Sequence, residues 1–163
     1  MKSSLTAICL TLVLSLGTIS AAWGADFYKG LTAAQRGDYA TALREWTPLA
    51  KQGDADAQFN LGLMYRRGQG APRDYKTAVK WWTLAAKQGN ADAQFNLGLM
   101  YATGQGVVQD NVYAHMWWSI AASSGDKGAI ENRDEVAGEM TPSQLEKAQD
   151  LARECVRKKY KDC

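Results

Sequence analysis

Between residues 54 and 88 the apolar positions recur at helical spacing. Ala57, Leu61 and Tyr65 fall at i, i+4 and i+8 with Gly62 beside them, which predicts one apolar face of a helix over about Asp54 to Arg67. Ala78, Trp81, Trp82, Ala85 and Ala86 gather on one side of a second helix, from about Asp74 to Gln88. Gly68-Gln69-Gly70 closes the first helix and Gly89 the second, as Gly53 and Gly125 close its counterparts, and glycine readily takes the left-handed geometry of a C-terminal cap. Pro72, just before Asp74, reinforces the stop. The chain has no alternating apolar run of the kind that predicts a strand, so the expected class is all-α.

The pattern then repeats. ADAQFNLGLMY at 55–65 returns unchanged at 91–101, and GDYATALREW, RDYKTAVKWW and QDNVYAHMWW start at residues 37, 73 and 109, each 36 residues after the last. A fixed period of this length marks stacked units that bury their faces against one another. Gly62 and Gly98 sit mid-helix, where glycine costs about 1 kcal/mol against alanine. Their recurrence at one place in the unit predicts close approach of a neighbouring helix, and so stacked helical hairpins. Pro48 falls inside the helix that begins near Asp38, on its outward side, and predicts a bend there without a break.

The outer copies are irregular in a way that suits ends. FYKGLTAAQRG at 27–37 reads as one cap, and in the third copy Leu61, Gly62 and Leu63 become Arg133, Asp134 and Glu135, as fits a unit facing water. Thr141 as N-cap and Pro142 in the first turn open a last helix, whose Leu145, Ala148, Leu151, Ala152 and Cys155 are expected to lie across the exposed end of the stack. The domain plan is a leader over 1–24 and one solenoid domain over 25–163. Within that domain the clear repeats run over about 55–90 and 91–126, degenerate capping repeats over 26–54 and 127–140, and a C-terminal capping helix over 141–160.

The leader follows from Lys2, an apolar run from Leu5 to Ile19, and small residues at Ala22 and Gly24, a Sec-type signal peptide expected to be cut after Gly24. The run is shorter than the roughly 20 residues a membrane-spanning helix needs. The expectation is a periplasmic or secreted protein with no stable membrane insertion after cleavage. Cleavage removes Cys9 and leaves Cys155 and Cys163, an even pair that in an exported chain favours a disulfide over two free thiols at a frayed tail. Eight residues along one helix span about 12 Å, whereas bonded cysteines have Cα atoms about 4.4–6.8 Å apart. A bond therefore requires the helix to stop near Lys158 to Lys161.

Charge and chemistry narrow the picture further. Without Lys2 the 19 Lys and Arg become 18 against 17 Asp and Glu, so no basic field exists to hold nucleic acid. The cluster Arg157-Lys158-Lys159 with Lys161 reads as a solvated helix end. The single histidine, His115, is placed at the position of Lys80 and Arg44 in the other repeats and so reads as a variable surface residue. The sequence contains no metal-ligand spacing, phosphate loop or nucleophile motif, so no catalytic residue, cofactor or metal is expected and the chain is not read as an enzyme. Trp81-Trp82 and Trp117-Trp118 share the phase of the core alanines and are expected to pack between helices. Nearly opposite Ala57 and Leu61, a second row runs through Phe59, Asn60, Leu63 and Arg67, and Phe95, Asn96, Leu99 and Thr103 repeat it.

The unit marked by Ala57, Leu61-Gly62, Tyr65, Gly68-x-Gly70, Asp74, Ala78, Trp81 and Ala85-Ala86 resembles a Sel1-like repeat, the longer-loop relative of the tetratricopeptide repeat. The next unit resembles it through Ala93, Leu97-Gly98, Tyr101, Gly104-x-Gly106, Asp110, Ala114, Trp117 and Ala121-Ala122. The resemblance implies a right-handed α-solenoid of stacked helical hairpins, whose members usually act as adaptors in protein–protein contact, often in export, envelope or signalling settings. Exported relatives carry cysteines eight residues apart that tie one hairpin; Cys155 and Cys163 have that spacing but lie outside the clear repeats. If the first helix of each unit lines a concave wall, as in the tetratricopeptide fold, the second row is a protein-binding surface; packing against adjacent hairpins is the competing reading for its Phe and Leu residues. The expected function is an exported adaptor or regulator that binds another envelope or secreted protein, or a peptide, in a concave groove. The alternative is an envelope enzyme or sugar-binding protein acting on cell-wall material.

Overall fold

Among the residues described by the computed structural model, 25–161 and 163, there are eight α-helices and no strand. They are α1 (Phe27–Gln35), α2 (Tyr39–Lys51), α3 (Ala55–Arg67), α4 (Tyr75–Ala86), α5 (Ala91–Thr103), α6 (Asn111–Ala122), α7 (Lys127–Gly138) and α8 (Pro142–Arg157). The expected leader lies outside the described residues. Each helix starts where a short oxygen-bearing side chain can satisfy an otherwise unpaired backbone N–H: Asp26, Asp38, Asp54, Asp74, Asn90, Asp110, Asp126 and Thr141 all accept such bonds. Thr141 and Gln144 form a reciprocal capping box, and Pro142 opens α8. Pro48 leaves α2 unbroken from Tyr39 to Lys51.

The helices pair as successive hairpins, α1 with α2, α3 with α4 and α5 with α6, and each second helix packs on the first helix of the following pair. This makes an all-α solenoid whose core is divided into three stacked apolar clusters. The Gly-x-Gly loops are shaped for the stacking. Gly68 and Gly104 cap α3 and α5 in the left-handed region (φ 71° and 68°). Gly106, also left-handed, lies against the backbone of Tyr75 so closely that a Cβ would sit 2.5 Å from its carbonyl carbon.

The internal glycines show what the repeat is built around. A Cβ on Gly62 would lie 2.3 Å from Nε1 of Trp82, and one on Gly98 2.5 Å from Nε1 of Trp118. Each indole lies against its glycine and donates to the carbonyl three residues earlier, Trp82 to Phe59 (3.2 Å) and Trp118 to Phe95 (3.1 Å). The supposedly irregular first unit has the same arrangement: Trp46 covers Gly30, a Cβ of which would be 2.5 Å from Nε1, and donates to the carbonyl of Phe27 at 3.1 Å.

α8 departs from the expectation. Its packing is principally against α6, not across the open end beyond α7. The reason is legible on α6: where α4 carries Lys76, Lys80 and exposed Leu84, α6 carries Val112, Met116 and Ile120, all buried. Trp117 is likewise 3% exposed, whereas its counterpart Trp81 is half-buried. α8 covers this second apolar face with Ala148, Ala152 and Cys155. The helix ends at Arg157, and Cys155 is bonded to Cys163 across a Cα–Cα distance of 5.2 Å. Arg157 and Lys158 both engage Glu154, which holds its carboxyl down to about 2.

Candidate protein-binding face

The repeated phrase is used up largely by the fold. Ala57 and Leu61 are fully buried in the core. Gln58 and Gln94, also buried, donate to the carbonyls of Ala50 (2.9 Å) and Ala86 (3.2 Å), tying each first helix to the end of the preceding hairpin. Across the next joint Gln88 donates to Gln58 at 2.8 Å, and Asn90 to Asp56 at 3.2 Å. What the stacking leaves over is the opposite side of α3 and α5.

That side holds the eight expected residues. Phe59 and Leu63 are half-buried against the central cluster, and Phe95 and Leu99 pack towards α7, where Gly128 approaches the Phe95 ring. These apolar side chains thus meet neighbouring hairpins and keep only an edge towards solvent. Arg67 and Thr103 are exposed at the helix ends. Asn60 and Asn96 each donate from Nδ2 to a carbonyl one turn back, Asp56 (2.8 Å) and Asp92 (2.7 Å). With that N–H committed, each amide keeps its oxygen as an acceptor, but only Asn60 is partly exposed, whereas Asn96 is buried at 9% exposure. Asn132 continues the row on α7, a position the 36-residue offset predicts but which charge at 133–135 disguises.

Only part of the row is brought into one recess. Asn60, Leu63 and Arg67 meet Ala34, Gln35, Tyr39, Trp46, Met64 and Gln69 around a cleft of about 230 Å³ between α1 and α3. Its floor is aromatic and aliphatic and its rim is amide and guanidinium. The cleft is smaller than the roughly 300–1,000 Å³ of small-molecule sites and matches the size of a protein side chain.

His115 needs correcting. At the 36-residue offset it stands in the register of Val79 and Leu43, and it is 3% exposed on α6. The imidazole Nδ1 lies 3.3 Å from Ser119 Oγ, one turn on, which satisfies a polar group inside the stack. Burial pushes its pKa down, Arg133 pushes the same way, and Asp134 opposes them. The folded protein therefore holds His115 neutral, while the unfolded chain takes up its proton near pH 6.5. Stability is complete above that pH and falls as pH drops below it towards the lower folded pKa. We expect His115→Val to flatten the loss of melting temperature between pH 7 and 5; an unchanged pH profile would place the acid sensitivity elsewhere.

Among the described residues no helix is long and apolar enough to cross a membrane, and no group of three metal-ligating side chains assembles. The fold defines a helical-repeat scaffold. Residues 55–90 and 91–126 each match the family model of the Sel1 repeat, so the chain carries two Sel1 repeats. It is similar to the solved structure of c5321, a protective antigen present in uropathogenic Escherichia coli strains and displaying an SLR fold (29% identity, TM-score 0.75), across 80% of this chain and 30% of the antigen. It is also similar to a Sel1 repeat protein from Oxalobacter formigenes (27% identity, TM-score 0.66), across 79% of this chain and 55% of that protein. The chain thus spans under two thirds of either relative. No curated protein matches it. Sel1-repeat proteins generally mediate protein–protein interaction, and the fold is typically a non-enzymatic scaffold.

Proposed function

We propose that this protein works outside the cytoplasm as an adaptor or regulator, binding another envelope or secreted protein through an extended segment laid on the first-helix face of the solenoid. One observation carries this reading: Asn60, partly exposed and with its N–H committed to Asp56, offers its side-chain oxygen as an acceptor between the solvent edges of Phe59 and Leu63, and Asn96, only 9% exposed, repeats the arrangement one unit on beside Leu99. Backbone N–H groups of an extended chain are the donors such a row suits, with side chains entering the recesses between helices. The bonded Cys155–Cys163 pair and the leader-like residues 1–24 support an oxidising, extracytoplasmic setting. Photoreactive residues at positions 60 and 96 should capture a partner in cells, and one at the outward-facing Leu84 should not. Capture from Leu84 alone would refute the assignment of the face.

A further inference from the structure

The cleft between α1 and α3 combines a lined recess with uncompensated charge. Arg66 and Arg67 stand on the last turn of α3, Arg67 on the rim of the cleft beside Gln35 and Gln69, and Arg36 follows the end of α1. Among the described residues these three arginines form no ion pair with a carboxylate, whereas Arg44, Arg133, Arg153 and Arg157 all do. The lining of the cleft contains no Asp or Glu. At the other end of the same face the register reverses sign: Phe95, Leu99 and Thr103 of α5 are replaced on α7 by Glu131, Glu135 and Glu139, all exposed. The face therefore runs from cationic at the last turn of α3, whose first turn carries exposed Asp56, through a neutral Phe, Asn and Leu stretch on α5, to anionic at α7.

We propose that the partner segment recognised on this face is acidic where it crosses α3, placing an apolar side chain in the recess over Trp46, Leu63 and Met64 and an adjacent Asp or Glu on Arg66 and Arg67. This rests on the proposed binding face and adds which chemistry that face selects and in which direction the segment lies. A guanidinium offers paired donors that match a carboxylate; Arg67, exposed on the rim, with half-buried Arg66 next to it outside the lining and no acid in the recess, favours an anionic residue there. The α7 glutamates repel an acidic continuation, so the acidic end is confined to the α1–α3 side. The volume of the recess admits one large side chain, which fits a peptide better than a nucleic-acid strand or a lipid headgroup.

A library of displayed random peptides, selected on the purified protein, tests this. The selected peptides should carry Asp or Glu next to a large apolar residue. Their affinity should fall about tenfold or more for Arg66→Gln with Arg67→Gln, weaken with salt, and stay unchanged for the control Lys80→Gln on α4. Arg66→Glu with Arg67→Glu should redirect selection towards Lys or Arg at that place. Thermal melts of each variant separate lost binding from lost folding. Peptides that need Asn60 and Leu63 but show no charge preference would overturn this proposal and leave the binding face standing. Peptides insensitive to substitutions at both Asn60 and Leu63 would overturn the face itself, and binding of an anionic polysaccharide or lipid vesicle in place of peptides would overturn the choice of partner.

Discussion

Replacing Gly62 by alanine is expected to destabilise the protein by about 3 kcal/mol, a fall of about 10 °C in melting temperature, although alanine favours an ordinary helix interior by roughly 1 kcal/mol. The added methyl would lie 2.3 Å from Nε1 and 2.4 Å from Cδ1 of Trp82, an indole with no solvent exposure and no room to retreat. Overpacking of this kind costs about 1–3 kcal/mol. Displacing the ring also breaks its bond to the Phe59 carbonyl, which leaves buried polar groups unpaired at a further cost of about 1–3 kcal/mol. Together these outweigh the gain in helix propensity. Trp82→Phe, which removes the fused ring and the N–H together, should recover part of the loss in the Gly62→Ala background while being destabilising by itself. Additive single effects in that double-mutant cycle, or a Gly62→Ala protein that melts higher than the parent, would show that ring and glycine are not coupled as described.

The same contact shows what could be read from the chain and what could not. Periodicity, caps and the 36-residue offset were enough for the hairpins, and the mid-helix glycines pointed to close helix approach. The offset concealed the first unit, because its turn, Arg36-Gly37-Asp38, is four residues shorter than the loop from Gly68 to Asp74, so that Phe27, Gly30 and Trp46 fall out of register although they form the same lock. A search for Phe-x-x-Gly followed by Trp, with the gap left free, finds all three. His115 was misplaced by a shift of one residue, which on a helix turns a buried position into a surface one. α8 illustrates a different limit. Its amphipathic pattern predicted which of its faces would be covered, and only the extra apolar residues on α6 say by what. The binding row was the least legible part, since Phe59 and Leu63 serve neighbouring hairpins and the solvent edge together, and spacing alone does not apportion one side chain between two uses.

Reduction of the Cys155–Cys163 bond should lower stability by about 2–3 kcal/mol, the chain-entropy value for closing so short a loop, and should act first at the C-terminal turn. The turn needs the bond because Lys159 and Tyr160 both lie in the left-handed region, at φ 52° and 63°, a conformation that costs residues with a Cβ about 1–2 kcal/mol each. The turn's backbone bond from Tyr160 N–H to the Cys155 carbonyl, 2.8 Å, has to hold that geometry once the sulfurs part. Tyr160 in turn lies against the loop between α4 and α5, where a Cβ on Gly89 would be 3.2 Å from its ring; Gly53 and Gly125, the matching positions in the other units, have nothing within 4 Å. The bond thus fastens the end of α8 to the middle of the solenoid, over a core that includes Trp117 and Ile120. In reductant, amide exchange should accelerate at 158–161 and in the last turn of α8 before the melting of α3 and α5 changes. Cys163→Ala, which leaves Cys155 in its buried place, should reproduce the reduced protein and lose all further response to reductant. A protein that melts alike with and without reductant, with unchanged exchange at its C-terminus, would mean that the packing of Ala148, Ala152 and Tyr160 holds α8 by itself.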